Sequence, residues 1–98
     1  METVINLEFD CTNIRGLAGE EEGEQAFKEQ VEPRLTEEAW EGNITIRFPE
    51  PIIIIGSSFW EGFAHPLVAK IGVKGVNERV TFVTSSERLT QELYQFLI

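Results

Sequence analysis

The sequence predicts a small α/β domain: a mostly parallel sheet of about four strands with helices packed mainly on one face. Three observations carry that reading. Apolar stretches with strand character alternate with stretches of helical period, in the order strand, helix, strand, helix, strand, helix. Four consecutive isoleucines, Ile52 to Ile55, are β-branched and end at Gly56, Ser57 and Ser58, where an amphipathic helix starts. The chain has 98 residues, 42% of them hydrophobic, which suits one core and one domain spanning residues 1–98.

The elements follow in order. Ile5, Leu7 and Phe9 alternate with polar residues, as in a strand with one buried face. Asp10 to Gly19 has loop composition. Phe27, Val31 and Leu35 recur every four residues, with Glu20, Glu21, Glu22 and Glu24 near the positive end of the dipole, so a helix runs from about Glu20 to Gln30. Pro33 breaks or kinks it and leaves Arg34 to Trp40 as a second short helix or a bent continuation. Ile44, Ile46 and Phe48 mark the next strand. Pro49 and Pro51 bar a regular central ladder after it, so Pro51 to Ile55 reads as an extended strand end with apolar surroundings on both faces.

Ser58 with Glu61 three residues on forms a capping-box pattern. Phe59, Phe63, Leu67 and Ile71 line one stripe of the helix that follows, flanked by Trp60, Ala64 and Val68. Pro66 lies within that stripe, where a kink or restart is expected. Gly72 to Gly75 lacks the spacing of a phosphate loop and reads as a helix end. Val80 to Val83 is the third clear strand, and Thr84 to Glu87 is a second capping pattern. A final helix docks through Leu89, Leu93, Phe96 and Leu97.

Charge and composition exclude several classes. The net charge is −9, and residues 1–50 hold thirteen acidic and four basic side chains against four of each in residues 51–98. An acidic face of this kind repels nucleic acid and anionic membranes and keeps a protein soluble. The longest apolar run is four residues, against the roughly 20 a membrane span requires. The N-terminus carries no secretion-signal pattern, and Cys11, the one cysteine, cannot form an internal disulfide, so a cytoplasmic protein is expected. One histidine and one cysteine cannot supply a zinc site, and no cofactor is expected. His65, on the same helix as Ser58, is badly placed for a hydrolytic triad, and Gly56 to Trp60 lacks the second glycine of a nucleophile elbow.

Arg15-Gly16-Leu17-Ala18 with Glu20-Glu21-Glu22-Gly23, then Ile46-Arg47-Phe48, then Gly56-Ser57-Ser58-Phe59 resemble the STAS-like domains of unknown function. These are related to sulfate-transporter and anti-sigma-factor-antagonist (STAS) domains. The similarity spans most of the chain. It implies a non-enzymatic protein-interaction module, with a partner resembling the ATP-binding anti-sigma kinases. In true antagonists an Asp-Ser pair lies at the corresponding turn and its serine is phosphorylated; Ser57 matches that serine, with Ser58 beside it. Gly56 stands where the pair has aspartate, Arg47 replaces an acid, and Trp60 and Gly62 also differ from the family pattern.

The candidate site is therefore Gly56, Ser57, Ser58, Trp60 and Glu61, with Ser57 and Ser58 as phosphorylation candidates. Helix capping is the plainer explanation of the serines. Ser57 is expected to be solvent-exposed, and Trp60 to be either an interface anchor or core. Two other classes remain open: a nucleotide or small-molecule binder using the helix start as an anion site, and a homodimer built by edge pairing of Ile5 to Phe9.

Overall fold

A computed structural model describes residues 2–9 and 16–97; Cys11 and Arg15, both used in the sequence reading, lie outside the described residues. Three strands, β1 (Glu2–Asn6), β3 (Asn43–Arg47) and β5 (Val80–Val83), form one parallel sheet in the order β1-β3-β5. Two further short strands, β2 (Gly16–Leu17) and β4 (Ile54–Ile55), pair in parallel as a separate ladder. The expected sheet of about four strands is thus three strands and a two-stranded annex.

Alternation decides the faces. Thr3, Ile5, Ile44, Ile46, Val80 and Phe82 are buried, while their strand neighbours point to the other, open face. The strand order steps always in the same direction, so right-handed crossovers place their helices on one side. Those helices are α1 (Glu20–Ala26), α2 (Glu37–Glu41) and α3 (Ser57–Arg79), with α4 (Glu87–Gln95) closing the β5 side.

The first helix matches expectation in place and differs in pitch, since α1 widens into a π-helical turn over Phe27–Val31. Pro33 then sits in the first turn of a 3₁₀ segment, Glu32–Arg34, where its missing N–H is harmless. Thr36 caps α2 by accepting from the Ala39 N–H at 3.2 Å. α3 does not restart at Pro66 and is interrupted six residues later, at Gly72 (φ 76°), a backbone state that glycine adopts without steric cost.

α1 and α3 cross at two glycines. A Cβ on Gly23 would collide with the Phe59 carbonyl, and one on Gly62 with the Glu20 carbonyl. Below this crossing Phe59, Trp60, Phe63, Phe48 and Phe82 pack together, with Trp60 edge-on to Phe82 at 4.8 Å.

Both edges of the main sheet are occupied by side chains. In a parallel ladder the N–H and C=O of one residue point to the same side. Leu7 N–H bonds Arg47 C=O at 2.9 Å, so the polar groups of Val4 and Glu8 face outward. Arg34 donates to the Val4 carbonyl at 3.2 Å, and the Gln30 carboxamide pairs with both Glu8 groups, at 2.7 and 2.9 Å. On β5 the Tyr94 hydroxyl donates to the Val80 carbonyl at 2.7 Å and accepts from the Phe82 N–H at 3.1 Å.

The isoleucine run departs from the reading of a strand buried on both faces. Ile52 and Ile55 are buried, but Ile53 and Ile54 are 52% and 62% exposed, because the run lies beyond the main sheet, in a ladder with the short β2.

Candidate functional site

The site starts where β4 meets α3. Gly56 is the N-cap: its N–H bonds the Leu17 carbonyl at 2.7 Å, continuing the β2–β4 ladder, and its carbonyl accepts from Trp60 N–H at 3.0 Å. A Cβ at Gly56 would stand 3.2 Å from the Leu17 oxygen, closer than most neighbours tolerate. The helix therefore begins two residues earlier than a Ser58 cap requires. No side chain caps it, so the expected Ser58–Glu61 capping box is absent. Its physical requirement, an extended residue at the cap, is met by Gly56, and Ser58 is already helical.

Ser57 and Ser58 are both exposed, as expected for Ser57, and both lie in the first turn of α3, which runs unbroken as far as Ile71. Helical phase separates the remaining candidates. Phe59, Trp60 and Phe63 turn inward, while Ser57, Glu61 and His65 recur every four residues on the outer face. Trp60 is 1% exposed and stands among Phe48, Phe63 and Phe82, which makes it core and removes it from any contact surface. Gly56 offers only half-buried main chain.

A groove of about 360 Å³ runs along this outer face, with Ser57, Glu61 and His65 on its rim and Ala64, Val68, Phe96 and Leu97 lining it. Ser57 and His65 are eight residues apart, about 12 Å along the axis at 1.5 Å per residue, so no nucleophile–base hydrogen bond spans them. Among the described residues no group of three or more His, Cys, Asp or Glu side chains is placed to hold a metal, and no helix is long and apolar enough to cross a membrane.

Two features escape the sequence. Phe96, expected in the docking face of α4, is 56% exposed, because the buried stripe is Leu89, Leu93 and Leu97 at strict four-residue spacing. A second cavity of about 430 Å³ opens between the end of β1 and α1, with Phe9, Leu17 and Phe59 as apolar lining and Glu8, Glu22 and Glu29 as acids. The loop composition of Asp10 to Gly19 gave no sign of it, since the cavity depends on how Phe9 packs edge-on to Phe59 across 6.1 Å.

No family model, no curated protein and no solved structure matches this chain.

Proposed function

We propose that this chain is a cytoplasmic, non-enzymatic protein-interaction module resembling anti-sigma-factor antagonists, whose contact surface is the first turn of α3. Ser57, Ser58 and Glu61 form its polar part, with exposed Ile54 and Phe96 as apolar flanks. Phosphorylation of Ser57 by an ATP-binding kinase of the anti-sigma type switches the contact. One observation carries this reading: both serine hydroxyls are exposed and neither caps the helix, so capping does not account for them. A phosphate there would meet the positive end of the α3 dipole and add about two negative charges beside Glu61, making the rim more acidic.

The experiment is affinity capture from source-cell lysate with wild-type chain and a Ser57→Glu variant, together with phosphopeptide mapping of the protein isolated from the same cells. A protein bound by wild type and lost with glutamate, and phosphate found at Ser57, support the reading. Equal capture by both and no phosphate reject it.

The nucleotide or small-molecule reading has a cavity of suitable size between β1 and α1 but the wrong charge there. Glu8, Glu22 and Glu29 line it, so anions are repelled from it. A rise in melting temperature on adding nucleotide would revive it. Edge pairing through Ile5 to Phe9 would have to displace Arg34 and Gln30 from the outward groups of Val4 and Glu8.

A further inference from the structure

Parallel sheets are normally covered on both faces, yet among the described residues the three-stranded sheet here is covered on one. Its second face carries the row Val4, Thr45 and Thr81, in register across the strands, with Val4 39% and neighbouring Val83 36% exposed. Arg34 and Gln30 hold one edge, and Tyr94 the other, so another strand is hindered from extending the sheet. What covers this face has to stack on it.

The charges of the face identify the occupant. Its strand residues include one acid, Glu2, and one base, Arg47, neither in an ion pair among the described residues, in a chain of net charge −9. Because the strands are parallel, Glu2 and Asn43 lie together at one end of the face, and Asn6 and Arg47 at the other. A two-fold axis drawn across the strands along the Val4–Thr45–Thr81 row lays that row on itself. It also sets Arg47 of each copy over Asn43 of the other across the roughly 10 Å between stacked sheets, offset sideways by one strand spacing, about 4.8 Å, from Glu2 of that copy and so within reach of the two long side chains. An arbitrary protein would meet this pattern only by chance.

We infer that the open sheet face is a self-association surface, on which a second copy of this chain stacks with its strands reversed. The dimer is weak. With strands about 4.8 Å apart and about 3.3 Å per residue, the face covers on the order of 250 Å² per copy, against about 800 Å² for a standard interface.

Sedimentation velocity across roughly 10 µM to 1 mM, the range suited to small interfaces, tests this with the full chain. The mass is expected to rise with concentration from 11.1 kDa toward twice that value. Arg47→Glu, which makes both ends acidic, is expected to weaken association at least about tenfold, and adding Glu2→Arg to it restores association. Val4→Lys, at the centre of the face, is the second variant and is expected to leave a monomer. Thermal melts by circular dichroism confirm that each variant is folded. A wild-type monomer at every concentration overturns the inference and leaves the face to a different protein. A dimer indifferent to Arg47→Glu, not restored by the swap, or unmoved by Val4→Lys overturns it as well.

Discussion

The chain twice runs from an apolar strand through a pair of serines into a helix, and the two junctions are built differently. At the second, Ser86 is extended and its hydroxyl accepts from the Leu89 N–H at 3.2 Å. Thr84 braces the turn by donating to the Ser86 carbonyl at 2.7 Å. At the first, Gly56 takes the cap position and Ser57 and Ser58 stay unused by it. The helices explain the contrast. α4 has nine residues and two buried ones, so its first turn gains from a side-chain cap, whereas α3 runs unbroken from Ser57 to Ile71 and is anchored at once by Phe59, Trp60 and Phe63. Packing frees the first pair of hydroxyls for another use.

That contrast can be broken at several points. Trp60→Ala, which removes the anchor of α3, is expected to cost about 3–5 kcal/mol in denaturant unfolding; a small loss would mean that packing does not hold the helix start. Gly62→Ala pushes a methyl group toward the Glu20 carbonyl at the α1–α3 crossing and is expected to cost about 1–3 kcal/mol, read as a lowered melting temperature. Ser86→Ala removes a working cap, with a loss of about 1 kcal/mol. Ser57→Ala and Ser57→Glu should each stay within about 0.5 kcal/mol of wild type. Should Ser57→Ala cost as much as Ser86→Ala, the two junctions are energetically alike and the first serine is a cap after all.

Much of the fold was legible because it rests on local periodicity. Ile44, Ile46 and Phe48 are buried in alternation as read, and Leu89 and Leu93 are the buried stripe of α4. Pro33 ends its helix as its ring requires. The misreadings come from information that is not local. Ser58 and Glu61 have cap spacing, but the helix start is set by the ladder between Gly56 and Leu17, whose partner strand lies some forty residues earlier. Four β-branched residues suggested burial on both faces; how far the main sheet extends decided otherwise for Ile53 and Ile54. Pro66 was expected to kink or restart the helix; the helix does not restart there, and the interruption falls at Gly72. At the site, the exposure of Ser57 was readable, and the inward turn of Trp60 followed only once the helix phase was fixed.

The Tyr94 hydroxyl does for β5 what a neighbouring strand would do, and it belongs to the last helix in chain order. Whenever α4 lifts off the sheet by local opening, the outward Val80 carbonyl and Phe82 N–H are open to any extended segment nearby, so detachment of this one helix is enough to make the folded chain adhesive.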